Sequence, residues 1–259
     1  MKLVQLTLFD EEPERVAIKP RGGSQNPIVF HDYESYIAKF QNKEKTTDDT
    51  YTPQDVFEAV VKYVDTIYPL EGKQILRPFY PGGDYENAEY PEDGVVIDNP
   101  PFSIFAQICK FYSKRNIPFF IFGPGLTIMS VMKYCSVVII SVAIKYANGA
   151  QVNTGFATNM LGDTMVTTSL LLDGLIKMCS SQSYGRAKKK TEKPYNVFGV
   201  SDFQMILRRS DKDVVVKRDD GEIIRELDNG KKLYGDHVRV YDRVAKYIAE
   251  IKEQQIKEK

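Results

Sequence analysis

The stretch of the chain best suited to chemistry is VVIDNPPFSIF, residues 95–105, where an apolar run ends in an acid, an amide and two prolines. Consecutive prolines remove two backbone donors and fix two φ angles. The carbonyl of Pro100 and the side-chain oxygen of Asn99 then remain as hydrogen-bond acceptors. Two acceptors that converge on an exocyclic amino group would hold both of its hydrogens and aim its nitrogen lone pair at an electrophile.

The neighbouring residues complete this hypothetical amino-group pocket. Phe102 could stack on the ring that carries the amino group, and a base would have to leave the duplex to reach it. Pro101 fixes the turn, and Asp98 is a candidate acceptor for the proton released after attack. The alternative is that the prolines only end a strand, in which case Asn99 is a turn residue.

Elements that could position these residues alternate along the chain. The sequence predicts strands over 73–79, 95–98, 117–123 and 135–142, and helices over 52–64, 102–114 and 126–134. This alternation is typical of a parallel sheet covered by helices, an α/β fold. Asn148-Gly149 indicates a hairpin, so we expect an antiparallel pair near the end of the sheet. Residues 165–178 (MVTTSLLLDGLIKM) fit either a helix or a strand.

The flanking regions suggest a simple domain organisation. Residues 1–29 end in a segment rich in charge, Pro and Gly and are predicted to form a flexible arm. Residues 30–259 are predicted to form one domain with a basic loop near 185–193. A second hairpin is expected around Asp220-Gly221. The last element, over 236–259, is predicted to be a helix with four apolar residues on one face, Val240, Val244, Ile248 and Ile251.

Composition narrows the functional class. The chain has 259 residues, is 42% hydrophobic and 27% charged, and has no net charge, which argues against an overall polycation. Its three cysteines form no CxxC or Cys/His cluster, so we expect neither a disulfide scaffold nor a metal site. MKLVQLTLFDEE lacks the apolar core of a signal peptide, and no apolar run is long enough for a membrane span. We therefore expect a reducing, cytoplasmic location in a bacterium or a phage-infected host.

The DNPPF motif (98–102) resembles the D/N/S-P-P-Y/F motif of the amino-methyltransferases that act on DNA, most often on adenine. Residues 95–123 are similar to the phage and restriction type. The resemblance implies a Rossmann-like, mostly parallel sheet with a final antiparallel strand, S-adenosylmethionine as cofactor and DNA as partner. It also implies that Asn99 and Pro100 orient the target amino group and that Phe102 stacks on the base.

A second resemblance concerns the methyl donor. RPFYPGGDYE (77–86) resembles the D-P-F-x-G-x-G turn of this family. Arg77 stands where the family usually has an acid, and Asp84 could supply the missing carboxylate. TYTPQDVF (50–57) resembles the segment that covers the methionine end of the cofactor, although Thr52-Pro53 also fits a plain helix cap. The resemblance assigns cofactor binding to Tyr51, Thr52, Pro53, Pro78, Phe79, Gly82, Gly83 and Asp84.

The interval after this turn is unusually short. Only 15 residues lie between Phe79 and Val95, where the family usually has two strands and two helices. One of those strands ends in the acid that holds the cofactor ribose. We therefore expect a shortened sheet, in which Glu86, Glu89 or Asp93 could replace this acid. The alternatives are a catalytically inactive, methyltransferase-like DNA-binding protein of phage or plasmid origin, and an enzyme that methylates a non-DNA amine.

Three further segments are candidates for binding. A basic cluster of Arg186, Lys188, Lys189 and Lys190 could neutralise DNA phosphates, although such runs are often only solvated loops. NTGFATNML (153–161) resembles an element that would place Phe156, Thr158 and Asn159 near the target base, and its alternative is an ordinary strand end.

The third segment lies at the N-terminus. QLTLF (5–9) resembles the peptide that docks on bacterial replication sliding clamps, in which Leu6, Leu8 and Phe9 would enter an apolar groove and Gln5 would anchor them. The alternative for this segment is an edge strand.

Overall fold

Strands and helices alternate from Gln54 onward, as the sequence predicts. The computed structural model describes residues 52–79, 84–146, 149–179 and 193–257, which belong to one unit formed by Thr47–Lys259. The helices are α1 (Gln54–Ile67), α2 (Phe105–Lys114), α3 (Leu170–Cys179), α4 (Val200–Arg209) and α5 (Asp242–Lys257). The predicted arm over 1–29 lies outside the described residues.

The strands form two sheets. They are β1 (Gln74–Leu76), β2 (Gly94–Asp98), β3 (Phe119–Pro124), β4 (Ser136–Lys145), β5 (Gln151–Thr158), β6 (Thr164–Thr168), β7 (Val197–Phe198), β8 (Val215–Lys217), β9 (Gly221–Glu226) and β10 (Lys232–Val240). Short 3₁₀ turns cover Phe102–Ile104, Ile128–Val131 and Arg218–Asp220.

The larger sheet has seven strands in the order β1-β2-β3-β5-β4-β6-β8. Five strands run in one direction (β1, β2, β3, β4 and β6), and β5 and β8 run against them. The α/β class and the mostly parallel sheet are therefore confirmed. The expected antiparallel pair is β4–β5, but it lies in the interior of the seven-stranded order and not near the end of the sheet. Gly149 in its connection has φ 84°, which is a left-handed conformation.

The core lies between this sheet and its helices. Helices α1 and α3 pack together on one face through a cluster of fully buried apolar side chains that includes Val60, Phe120 and Phe156. The rings of Phe120 and Phe156 stack at 5.1 Å between centroids. Strands β2 and β6 are buried along their whole length, as expected for strands that are covered on both faces.

Several element predictions are wrong in detail. The strand predicted over 73–79 has only three residues, and the helix predicted over 126–134 is a four-residue 3₁₀ turn. In that turn Ile128, Met129 and Val131 are all buried, and the turn contacts α2 and β10 as well as β4 and β5, so its buried residues do not form one helical stripe. The ambiguous stretch over 165–178 contains both alternatives, most of β6 followed by α3.

The second, smaller sheet was not predicted. Its three strands are antiparallel, in the order β7-β10-β9. The β9–β10 turn lies at 227–231, and Gly221 is the first residue of β9 and not the turn residue that we expected. A Cβ atom at Gly221 would lie 2.5 Å from the carbonyl oxygen of Arg239, so this glycine permits close approach of two backbones.

The C-terminal helix is shorter than predicted. It begins at Asp242, so Val240 belongs to β10, whereas Val244, Ile248 and Ile251 are buried on one face of α5 as expected. The prediction included Val240 because it lies four residues before Val244, a spacing that matches the apolar face of a helix.

An irregular point in β4 ties two helices to the sheet. Pairing between β4 and β5 shifts between Ile139 and Ala143. The buried carboxylate of Asp173 on α3 accepts hydrogen bonds from the N–H of Ser141 (2.6 Å) and from its hydroxyl (3.0 Å). Arg208 on α4 donates to the carbonyl of Ser141 (2.8 Å). Side chains therefore satisfy the backbone where the strand ladder is interrupted.

We expect Asp173→Asn to lower the free energy of unfolding by about 1–3 kcal/mol, because an amide lacks the charge that pairs with Lys177 and can satisfy fewer of the buried donors. Urea unfolding followed by circular dichroism measures this change. Asp163→Asn is the matched control, because Asp163 is 64% exposed in its ion pair, and its midpoint should equal that of the wild type. Equal midpoints for all three proteins would contradict the role given to Asp173.

Candidate functional site

Three segments meet at the edge of the sheet where β1 and β2 end. Helix α1 precedes β1, and its first turn contributes Phe57 to this edge. The guanidinium carbon of Arg77, just after β1, lies 4.1 Å from the ring centroid of Phe57 in that turn. The backbone N–H of Phe79 donates to Asp98 at the end of β2 (2.8 Å). The structure thus brings together Thr52-Pro53, Pro78-Phe79 and the DNPPF turn.

Asp98 is the centre of this edge. Asp98 is only 2% exposed, and both of its carboxylate oxygens accept hydrogen bonds from the protein. Oδ2 accepts from the N–H of Phe79, and Oδ1 accepts from the N–H of Asn99 (2.9 Å) and lies 3.5 Å from Nε of Arg77. This engagement favours a structural role for the carboxylate over the predicted role as a proton acceptor.

Burial has a measurable consequence for this acid. It raises the pKa of the Asp98 carboxyl above its ordinary value of 3.8, and the two backbone donors and Arg77 act in the opposite direction. The charged form is therefore held by a small number of specific donors in a site that solvent barely reaches.

The DNPPF turn leaves the sheet in an extended conformation. Pro101 has φ −57° and ψ 123°, and the 3₁₀ turn that begins at Phe102 follows it directly. Pro100 is buried and Asn99 is partly exposed. The ring of Phe102 is partly buried against the core cluster that contains Val56 and Phe57. Part of this ring is therefore covered by the core, and stacking on a base would use the part that stays exposed.

Two buried hydroxyls are unsatisfied in two of these segments. Oγ1 of Thr52 and Oγ of Ser103 have no hydrogen-bond partner within the described part of the chain. The predicted cap at Thr52 is wrong by one residue, because Pro53 occupies the N-cap position and α1 begins at Gln54. Buried hydroxyls without partners are costly, so these two fit a site that binds a polar ligand.

Of the remaining residues predicted to bind the methyl donor, only some lie within the described part of the chain. Tyr51, Gly82 and Gly83 lie outside the described residues. Asp84 accepts hydrogen bonds from the N–H of Glu86 (2.9 Å) and from the side-chain amide of Asn87 (2.7 Å), so its carboxylate is held within its own turn. This local bonding is typical of an Asx turn and does not favour Asp84 as a substitute for the family acid.

The short β1–β2 connection is packed by aromatic rings. Strands β1 and β2 are adjacent and parallel, and residues 84–93 contain turns but no helix or strand. Tyr85 packs on Phe79 (5.4 Å between centroids) and Phe111 (5.1 Å), and the hydroxyl of Tyr90 donates to the carbonyl of Tyr85 (2.5 Å). Within the described residues, β1 is the outermost strand at this end of the sheet.

The candidates for the ribose acid separate by position. Asp93 lies at the opposite edge, where its carbonyl accepts from the N–H of Gln74 (2.9 Å) and its carboxylate from that residue's side chain (3.2 Å). This placement excludes Asp93 from a pocket at the end of β1. Glu86 and Glu89 are exposed in the connection.

Phe156, Thr158 and Asn159 do not belong to this site. Strand β5 is antiparallel, so its last residues lie where β3 begins, roughly 17 Å along a six-residue strand from its other end. The Asn159 side chain accepts from the N–H of Phe119 (3.1 Å) and donates to the carbonyl of Ile117 (2.8 Å). Thr158 and Asn159 therefore lie away from the DNPPF turn, as at an ordinary strand end, and Phe156 is fully buried opposite Phe122 in β3. These placements do not favour the prediction that puts the three residues near a target base.

The other predicted site residues lie outside the described ranges. These are the basic residues Arg186, Lys188, Lys189 and Lys190 and the N-terminal residues Gln5, Leu6, Leu8 and Phe9. Among the described residues, no group of three or more His, Cys, Asp or Glu could hold a metal ion. No helix in these residues is long and apolar enough to cross a membrane.

The contribution of Arg77 was missed by the sequence analysis, which noted it only as a departure from a family pattern. A usable signal was present, because an arginine lies near the end of one predicted strand and an aspartate ends the next. Neighbouring parallel strands end at the same edge, so opposite charges at both ends can pair there.

Comparisons with protein-family models, with curated proteins and with solved structures find no match to this chain. The fold and the site therefore define it as an α/β protein with a mostly parallel sheet. Its candidate site lies at the edge where β1 and β2 end.

The raised pKa of Asp98 predicts a pH-dependent stability difference between the wild type and Asp98→Asn. An acid that binds its proton more tightly in the folded state loses stability as it ionises. The free energy of unfolding of the wild type minus that of the variant should fall as pH rises from 3.8 and become constant above the folded pKa. Urea unfolding from about pH 4 to pH 8 measures it. A difference that grows with pH would contradict the raised pKa.

Proposed function

We propose that this protein is an S-adenosylmethionine-dependent DNA adenine amino-methyltransferase with a shortened, Rossmann-like methyltransferase fold. The observation that carries the proposal is the hydrogen bond between the N–H of Phe79 and the carboxylate of Asp98. It joins the turn that resembles a methyl-donor site to the turn that resembles an amino-group pocket. The two turns were assigned from separate motifs, and their meeting at one edge supports a common reaction centre.

In the proposed mechanism the chain holds and orients the reactive amino group. Asn99 Oδ1 and the carbonyl of Pro100 accept the two amino hydrogens, and the exposed part of Phe102 stacks on the flipped adenine. S-adenosylmethionine supplies an electrophilic methyl group when it is bound. The amino lone pair would form the new N–C bond as the bond between the methyl carbon and the sulfonium sulfur breaks, with S-adenosylhomocysteine as the leaving group. No base is required before attack, and the released proton would leave afterwards to solvent.

Two polar side chains at this edge are available to bind the cofactor. The hydroxyls of Thr52 and Ser103, which have no partner within the described part of the chain, can bind polar groups of the cofactor, and Phe79 lies at the same edge through its bond to Asp98. The basic segment near 185–193 is proposed to hold DNA phosphates, and the proposed location is the cytoplasm of a bacterium or an infected host.

A second candidate function is a methyltransferase-like DNA-binding protein without a donor site. It is favoured by the connection between β1 and β2, because residues 84–93 contain no strand that could present a ribose acid. The exclusion of Asp93 from the pocket edge adds to this argument.

The decisive experiment is calorimetric titration with S-adenosylmethionine, followed by transfer of a labelled methyl group to unmethylated DNA. We expect binding and transfer by the wild type. Asn99→Ala should retain donor binding and lose on the order of 10²-fold in kcat, because one of two groups that hold the amino nitrogen is missing.

Asn116→Gly is the matched control. Asn116 follows α2 at the opposite edge and has φ 53°, a conformation that glycine adopts readily, so transfer should be unchanged. Donor binding that is absent at millimolar concentration would favour the second candidate function. Full transfer by Asn99→Ala would remove the role proposed for the DNPPF turn.

The proposed partner at the N-terminus is a replication sliding clamp. A Leu8→Ala, Phe9→Ala double variant should lose binding to a purified bacterial clamp by on the order of 10²-fold, because two apolar anchors are removed. Surface plasmon resonance with immobilised clamp measures the change. The Asn116→Gly protein should bind as the wild type does, and equal signals for all three proteins would refute the partner.

A further inference from the structure

The strand ladder between β1 and β2 stops before the two candidate turns begin. The last paired residues are Leu76 and Val96, and beyond them β2 pairs only with β3. Phe79 therefore cannot give its N–H to the ladder, and the side chain of Asp98 accepts it instead. One side chain replaces the backbone pairing at the point where the two strands diverge.

The same carboxylate is also linked to the start of α1, through Arg77. Arg77 lies 3.5 Å from Oδ1 of Asp98 through Nε, and its guanidinium stacks on the ring of Phe57. The side chain of Asp98 is 3% exposed, whereas that of Arg77 is 30% exposed. Solvent screens the arginine in part, but the aspartate depends on protein donors for the stability of its charge.

We propose that Asp98 is a positioning residue whose carboxylate fixes the distance between the donor turn after β1 and the amino-group turn at Asn99–Phe102. Its consequence for catalysis rests on the proposed methyltransferase function. The positioning itself is a property of the folded chain and can be tested without any substrate.

The alternative is that Asp98 accepts a proton during methyl transfer, and this role requires a different geometry. A proton acceptor must have a lone pair directed at the reacting nitrogen. Both oxygens of Asp98 are instead directed at protein donors, two of them backbone N–H groups on different turns.

The first test is backbone amide hydrogen exchange, measured by NMR on the wild type, Asp98→Asn and Asp163→Asn. In Asp98→Asn the amides of Phe79 and Asn99 should exchange on the order of 10-fold faster, because their shared charged acceptor is lost. The amides of Val95–Ile97 should keep their protection, which shows that β2 still pairs.

Asp163→Asn is the control because it changes the same side chain in an exposed ion pair. Its exchange rates at Phe79 and Asn99 should equal those of the wild type. Unchanged exchange at these two amides in Asp98→Asn would overturn the proposal. So would an equal loss of protection throughout β2, because Asp98 would then support the strand as a whole and not the two turns.

The second test separates binding from chemistry. Asp98→Asn should raise the Kd for S-adenosylmethionine about 10-fold and lower kcat about 10-fold, because both turns lose the carboxylate that they share. Asn99→Ala should lower kcat alone. A normal Kd with a reduced kcat in Asp98→Asn would indicate a proton acceptor and would overturn the positioning role.

The two proposals fail in distinguishable ways. A wild-type protein that neither binds the donor nor transfers a methyl group would refute the proposed function. The exchange rates of Phe79 and Asn99 would still decide whether Asp98 holds the two turns.

Discussion

A single buried carboxylate, that of Asp98, links the three segments that form the candidate site. It accepts the N–H of Phe79 after β1 and the N–H of Asn99 after β2, and it pairs with Arg77, which packs on α1. A charge with so little solvent contact is stable only with specific donors around it. The positions of the two turns are therefore determined together, since either turn can move only if it gives up a bond to this charge.

The short connection between β1 and β2 determines what kind of pocket this edge can form. A parallel crossover usually contains a helix that covers the sheet. Here the rings of Tyr85 and Tyr90 pack on Phe111 of α2 and cover that part of the fold instead. This packing buries part of the short connection, and no described strand lies beyond β1. Any donor pocket must then be formed from the turns themselves.

The sequence predicted well the elements whose pattern is local. The strand at 95–98, the helix start near residue 54 and the β4–β5 pair all follow from apolar runs, a proline and an Asn-Gly dipeptide. The errors occur where burial on more than one side removes periodicity, as at Ile128–Val131, and where a glycine serves close backbone approach, as at Gly221. The small sheet was missed because β7 has only two residues and carries no local pattern.

The sequence by itself determined the α/β class, the DNPPF turn after a strand and the shortness of the interval before it, because these depend on residue type and spacing along the chain. Only the tertiary structure decided which residues share an edge. In the folded chain Phe79 lies against Asp98, whereas Asp93 and Asn159 lie at the opposite edge of the sheet. Strand direction and order make this decision, and they depend on contacts between residues far apart in the chain that no local pattern records.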